Sequence, residues 1–575
     1  MKPVYRFIAL TLFIQIVWIN PVHSQTGLSW VKQFGGGDYD YGSQILYSAE
    51  GDIYIAGHFY DSLDVDPGSG ISMLYTEGDV NSYIAKYDTT GNFIWVKQLK
   101  NKIGNVITKC VLDSENNILA VGTFNDSIDF DPGSGTYILS PGEGEAGFIW
   151  KLDSEGNFVL AKAFTGNFLC QPVEITLDTG GNSIITGTFN GTVDFDPGTG
   201  VNNLTANVFS VFICKLDPSG NLIWSKQFEN NSMNSAEYGL ALSTDLSKNI
   251  YIGGKYIGMT DFDTGPGEFF LYGDYYGDGF FCKLDSSGNF VFARKIGGDG
   301  WSSIGDLIIT KDSAVLFSGY FDGTCNFDTI GAVNLQSPPS VYSSFLCKMT
   351  MQGELLWVKM LKATASIGVY IDELIQDTSG NFYLAGSFDS PVDFDPGPDE
   401  FIMSSNGWWD LYVCKYDSDF NIKWGNHFGS GGYEYVVSCQ TDNADHVYCT
   451  GSFTNTVDFD PGPGVYNLTS NGNWDGFILK LDELITTNTS CLSFQTLKVS
   501  PNPADKMFTI HFQPVIHAGW LSFTDMTGRV VSVTDIQQGQ STATIDCSSW
   551  SPGVYLGQVL SKGLVIAKCK VVVKV

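Results

Sequence analysis

Apolar runs of about seven residues recur along the chain, each bounded by Gly, Asn, Asp or Ser. Runs such as "IYIAGHF", "ILAVGTF" and "FYLAGSF" carry a glycine at a fixed place, at Gly57, Gly122, Gly187, Gly254, Gly319, Gly386 and Gly451. A second run follows each and ends in Lys-Leu-Asp or a variant, at Lys86, Lys151, Lys215, Lys283, Lys348, Lys415 and Lys480. Then come a turn such as "SEGN" and a third run such as "FIWVKQ". Upstream lies one more, such as "VITKCVLD". Runs this short, punctuated by turn residues, predict β-strands, about four per unit, the content of one propeller blade.

Between the first and second runs stands an acidic insert, written "IDFDPGSG" in the second unit. Its paired positions are Asp64/Asp66, Asp129/Asp131, Asp194/Asp196, Asp261/Asp263, Asn326/Asp328, Asp393/Asp395 and Asp458/Asp460, at spacings of 65, 65, 67, 65, 67 and 65 residues. So regular a period implies an array or a closed ring. The seventh unit ends at "GFILKLDEL" without its "W-x-K-x-F" strand, while the chain opens with an orphan copy, "LSWVKQFGG". If that strand completes the last unit, no long edge is left exposed. The expected fold is therefore all-β: a seven-bladed β-propeller over residues 27–485 closed by its N-terminal strand. An open solenoid, or several separate sandwiches, would have no use for such a swap. A linker, 486–497, leads to 498–575, where alternating apolar residues and regular turns predict a small immunoglobulin-like β-sandwich.

Composition narrows the function classes. With 31 Lys+Arg against 62 Asp+Glu the formal net charge is -31, which repels nucleic acid and anionic lipid and favours cations or basic partners. Lys2 and Arg6 precede the apolar run "FIALTLFIQIVWI", and Val22 and Ser24 fit the small-residue rule for cleavage before Gln25, so residues 1–24 read as a signal peptide. No later segment is long and apolar enough to span a membrane.

The segment "FGGGDYDYGSQILYSAEGDIYIAGHF", Phe34 to Phe59, resembles the seven-bladed β-propeller repeat family abbreviated SBBP. That resemblance implies a fold and an extracellular setting and fixes no activity. The tail resembles the type A C-terminal sorting domain of the type IX secretion system. The residues that carry the likeness are Pro501, Asn502 and Pro503, Asp525 with Gly528, Arg529 and Val530, and Gly553, Val554 and Tyr555. The resemblance implies engagement of the type IX secretion machinery and a secreted or outer-surface destination.

Two readings of the inserts compete. Ca²⁺ takes six to eight oxygens, and each Asp-x-Asp offers two carboxylates plus carbonyls from the turn that follows, so the twelve aspartates from Asp64 to Asp460 in the six complete pairs are candidate calcium ligands. Otherwise the first Asp accepts backbone N–H bonds while Pro-Gly fills a type II turn. In the fifth unit, "CNFDTIGA" weakens both readings. Trp30, Trp95, Trp224, Trp357 and Trp424 read as packing between blades. In Trp408-Trp409 one ring is expected to be exposed and able to stack on a sugar. Cys214, Cys282, Cys347 and Cys414 sit at equivalent sites and read as buried thiols; Cys439 with Cys449 and Cys547 with Cys569 are candidate disulfides. Six histidines follow no repeat, and GxSxG, HExxH and P-loop motifs are missing. The sequence thus points to a non-enzymatic surface or secreted propeller that binds a protein or glycan. A carbohydrate-active enzyme using acids near the channel, or a structural envelope component, stands as the alternative.

Overall fold

The computed structural model describes residues 25–230, 237–328, 333–338, 341–363, 368–442, 444–462, 464–484, 495–496, 498–511, 519–525, 529–537, 540–561 and 564–574. The expected signal peptide, most of the linker and Gly528 lie outside the described residues. The chain divides into two compact units, 1–484 and 485–575. All regular structure among the described residues is β-strand, and no helix there is long and apolar enough to cross a membrane.

In the first unit an antiparallel group of four strands recurs seven times, six of them in chain order, and insert strands join several groups into larger sheets. The first sheet is Asp40–Tyr47, Ile53–Phe59, Asn81–Tyr87 and Phe93–Leu99. The seventh takes Glu434–Thr441, Val447–Phe453 and Asp475–Leu484 from the end of the array, and its fourth strand is Gln25–Gly36 from the beginning. That strand runs antiparallel to Asp475–Leu484, with Val31 opposite Leu479 and Phe34 opposite Gly476.

Seven apolar clusters hold these sheets to one another, and each is filled by two sheets consecutive in the array. The alternation of a strand explains how. Ile53 and Ile55 point to one side of the first sheet, and Tyr54 and Ala56 to the other. Both sides are buried, so the runs read as continuously apolar rather than alternating. The cluster around Ile53 and Ile55 contains Phe34, Tyr448 and Ile478 of the seventh sheet, so the last sheet packs on the first. The first strands follow the same succession: Asp40–Tyr47 lies against Asn105–Leu112 on one side and Glu434–Thr441 on the other.

Four of the lysines of the "KLD" turns, Lys86, Lys215, Lys283 and Lys415, tie their sheet to the next, while Lys151 and Lys348 pair with Asp113 and Asp312 of their own. Lys86 Nζ donates to Ser154 O at 3.0 Å and pairs with Asp52 at 2.9 Å; Lys283 Nζ donates to Met351 O at 3.0 Å. Within these turns the Asp is an internal acceptor, as Asp88 is for the Thr90 and Asn92 amides at 2.8 and 3.0 Å. Gly91 has φ 76, and a Cβ there would lie 2.9 Å from the Trp30 ring of the preceding sheet, which places that tryptophan between sheets as expected. Cys439 and Cys449 are directly opposed and disulfide-bonded, while Cys214, Cys282, Cys347 and Cys414 are buried free thiols.

The second unit has a five-stranded and a three-stranded sheet. Phe508, Ile510 and Ile545 of the smaller sheet share a core with Leu521, Phe523, Val559 and Val571 of the larger. Cys547 is buried there; the side chain of Cys569, its expected partner, lies outside the described residues.

Candidate functional site

Each acidic insert is a small hairpin whose carboxylates organise its own backbone. Asp129 Oδ1 accepts the amides of Asp131 at 3.1 Å and Tyr137 at 2.7 Å. Asp131 Oδ1 accepts the Gly133 amide at 2.8 Å. The same bonds recur from Asp64 and Asp66, Asp194 and Asp196, Asp261 and Asp263, Asp393 and Asp395, and Asp458 and Asp460. Even Asn326 serves, accepting the Asp328 amide at 2.9 Å. Gly135 explains the glycine four positions on, since a Cβ there would stand 2.0 Å from Asp131 Oδ2. The hairpin also pairs with the fourth strand of the preceding sheet in several units: Gly35 faces Asp64, Thr165 faces Asp194, and Lys362 faces Asp393.

As calcium loops the inserts fit poorly. One oxygen of each aspartate faces amide donors, which carry positive partial charge. Two carboxylates also fall short of the six to eight oxygens the ion takes. Among the described residues no group of three or more His, Cys, Asp or Glu is placed to hold a metal ion.

The loops that bear the inserts lead into the third strands, and there the seven units diverge. Buried Asp410 accepts the Asn406 amide at 2.9 Å, and buried Asp475 accepts that of Asn471 at 3.1 Å. Each aspartate so orders the loop that presents the tryptophan just before it. Burial raises Asp410 to about 6, though amides from the loop pull the other way. Trp409 stacks on Tyr370 at 5.4 Å and leans on Tyr435 at 6.1 Å; Trp474 stacks on Tyr435 at 5.4 Å and on Tyr41 at 6.2 Å. The series continues through Tyr41 to His58 at 4.6 Å in one direction, and from Tyr370 through Tyr320 to Trp301 in the other. Trp409 is buried, whereas Trp408 is 63% exposed and stacks on Tyr433. This aromatic arc covers the fifth, sixth, seventh and first sheets. At the second and third sheets a cleft of about 370 Å³ is lined by aliphatic Ile103, Val106 and Val173 together with Thr108, Glu145 and Gln171.

Deeper along the first strands lies a ring that sequence reading missed. Each first strand carries a β-bulge, and the residue after it is Gln44, Lys109, Glu174, Ala241, Asp306, Glu373 or Ser438. The bulge re-aims the strand at one register in all seven, so these side chains occupy equivalent places. Lys109 Nζ pairs with Glu174 at 3.0 Å, and Gln44 donates to Ser438 Oγ at 2.7 Å. Lys109, Glu174, Asp306 and Glu373 border a cavity of about 550 Å³. Burial alone would lower the Lys109 ammonium, but Glu174, Glu373 and Asp306 together hold it raised. Burial pushes Glu174 up to about 7 and Glu373 to about 8, against the pull of Lys109. The signal was available: these seven positions repeat at the same 65, 65, 67, 65, 67 and 65 spacings as the inserts. Their identities differ so much that no motif marks them.

In the second unit the sorting-motif residues are structural at close range. Asn502 Nδ2 donates to Lys570 O and its Oδ1 accepts the Val572 amide, both at 2.9 Å, fastening the Pro501–Pro503 segment to the final strand. Asp525 Oδ1 accepts the Arg529 amide at 3.1 Å, and Tyr555 donates to Ser551 O at 2.6 Å. Asp525, Arg529, Gly553 and Tyr555 line one open groove of about 630 Å³.

Comparison with known proteins gives a partial assignment. In an alignment of 560 positions that covers 81% of this chain, the sequence is 19% identical to an uncharacterized WD repeat-containing protein of Acanthamoeba polyphaga mimivirus. The alignment spans 39% of that relative's length. Among solved structures, a protein of unknown function from Bacteroides caccae aligns over 67% of this chain and 98% of its own, at 9% identity and a TM-score of 0.25. Dimeric latent PorU from Porphyromonas gingivalis aligns over 87% of this chain and 43% of its own, at 11% identity and a TM-score of 0.11. Residues 498–574 match the family described as the secretion system C-terminal sorting domain.

Proposed function

We propose that the protein is a seven-bladed β-propeller, exported by the type IX route its tail addresses, that binds a partner outside the cell through the aromatic sector of its insert-bearing face. The observation that carries this reading is the unbroken run of rings on that face. Among the described residues it passes from Trp301 through Tyr320, Tyr370, Trp409, Tyr435, Trp474 and Tyr41 to His58, across four successive units. Half-exposed Tyr and Trp side chains suit recognition, with large contact area and few torsions to freeze. The sorting domain supports a secreted or outer-surface location.

The test uses Trp408→Ala with Tyr433→Ala in the full chain, screened against glycan and surface-protein arrays. Trp408 is 63% exposed, so melting moves by less than about 1 kcal/mol equivalent while binding of any ligand found with the native protein falls tenfold or more. Unaltered binding would remove the aromatic sector from the account.

The inserts, on this reading, are turns that stitch neighbouring blades, and calcium is not needed for them. Melting in millimolar Ca²⁺ and in EDTA should then coincide within a degree. A rise with Ca²⁺ that Asp129→Ala with Asp131→Ala abolishes would restore the metal role.

A second reading, hydrolysis of a glycan by axial acids, is favoured by the convergence of Glu174, Asp306 and Glu373 on one cavity. Sugar release from a polysaccharide panel, abolished by Glu373→Gln, would establish it; a panel without turnover leaves binding as the function.

A further inference from the structure

The tips of the sixth, seventh and first sheets meet in one ring-bearing surface. Trp408 N donates to Gly432 O at 3.2 Å, Tyr433 N to Thr454 Oγ1 at 2.9 Å, Ser470 N to Asn455 O at 2.9 Å, and Trp474 N to Asp38 O at 3.2 Å. Loops 404–410, 429–435, 453–456, 470–475 and 35–40 are thereby fastened one to the next. Their outer rings follow on in the same order. Trp408 stacks on Tyr433 at 6.0 Å, Tyr433 leans on Trp474 at 6.1 Å, Trp474 stacks on Tyr41 at 6.2 Å, and Tyr41 on Tyr39 at 6.4 Å. Trp408 is 63% exposed, Tyr39 39% and Tyr433 37%.

The charge of these loops is turned inward. They contain neither lysine nor arginine. Asp40, Asp410, Glu434 and Asp475 are buried, and each accepts an amide of its own loop, from Gly36, Asn406, Ser430 and Asn471 in turn. Half-buried Asp38 accepts Asn473 Nδ2 at 2.9 Å. The polar side chains exposed beside the rings are the neutral amides of Asn406, Asn455, Asn471 and Asn473. In a chain of net charge -31 such a surface is an exception.

That exception selects a ligand by its chemistry. A sugar ring offers C–H groups to an aromatic face and a rim of hydroxyls, each both donor and acceptor, to amides that also donate and accept. An ionic ligand meets no exposed cation in these loops and only engaged or buried carboxylates, and a charge covered without a partner costs affinity. Several exposed rings in succession suit a chain of sugar units rather than a single one.

We propose that this surface binds a neutral polysaccharide, with Trp408 and Tyr39 as stacking platforms for separate sugar units of the glycan. The proposal rests on the aromatic sector being the binding face and adds the class of ligand it takes.

Native gel electrophoresis of the full chain through β-glucan, mannan, xylan and galactan, each also in carboxymethylated form, tests it. Expected is retardation by at least one neutral polysaccharide, equal in low and high salt because no ion pair is made, and binding tenfold weaker or more to its carboxymethylated form. Trp408→Ala should lower the affinity tenfold or more while the melting temperature stays near native, and Tyr39→Ala on the first sheet should do so independently. Equal binding of the carboxymethylated form, retardation that high salt abolishes, or native affinity in both variants would overturn the proposal. If no neutral polysaccharide binds while a protein ligand sensitive to Trp408→Ala is found, this inference falls and the binding face stands. Failure of the face itself appears as the absence of any ligand sensitive to Trp408→Ala.

Discussion

A chain lacking Gln25–Gly36 no longer melts as one cooperative unit and accumulates as aggregate. The deleted strand pairs with Gly476 to Leu484 of the strand Asp475–Leu484, so its loss leaves that strand as a bare apolar edge with unpaired N–H and C=O groups. It also removes Phe34, 2% exposed, from the core that joins the last sheet to the first. The single change Phe34→Ala isolates that second effect. A buried phenylalanine truncated to alanine costs about 3–5 kcal/mol, transfer and cavity together. Denaturant unfolding checks both variants. A deleted chain that stays soluble and keeps the native midpoint would mean that the strand is an accessory.

The second large effect belongs to the axial ring. Lys109→Met takes away the cation facing Glu174, Asp306 and Glu373, and breaking a buried charge cluster from one side costs about 3–5 kcal/mol. The penalty depends on pH, because the carboxyls can escape it by taking protons. Glu174, Asp372 and Glu373 hold their protons up to about 7, 7 and 8 in the folded state, above the values near 4 of free carboxyls. Between pH 4.5 and 8 the folded protein therefore binds more protons than the unfolded chain, and stability falls as pH rises. Below about pH 4 the sign reverses. Although burial opposes it, hydrogen bonds from Asn92 and Thr90 hold Asp88 near 2, and those from Asn182 and Lys215 do the same for Asp178. That stabilisation is lost as these groups protonate. Melting temperature should thus peak near pH 4 to 4.5 in the native protein, with the Lys109→Met deficit largest at about pH 8. A deficit independent of pH would show that the lysine acts through packing alone.

How far the sequence could be read follows from what repeats and why. The acid pairs, the Gly57-type glycines and the Lys86-type lysines answer to local backbone or to the next sheet: Asp129 accepts an amide, Lys86 meets the Ser154 carbonyl, and at Gly57 the Tyr41 carbonyl leaves no room for a Cβ. Such demands recur along the chain, so they appear as motifs and measure the period. The Cys439–Cys449 bridge was legible for a similar reason, two cysteines ten apart across one hairpin. Gln44, Lys109, Glu174, Ala241, Asp306, Glu373 and Ser438 share a register and no chemistry, so only counting along the period would have aligned them.

Hydrogen exchange read by mass spectrometry over residues 25–36 tests the closed ring of seven sheets most directly. The account predicts amides in this strand protected to the same degree as those of Asp475–Leu484, its partner, and both exchanging together only on global unfolding. Exchange of 25–36 within seconds, while Asp475–Leu484 stays protected, would contradict it.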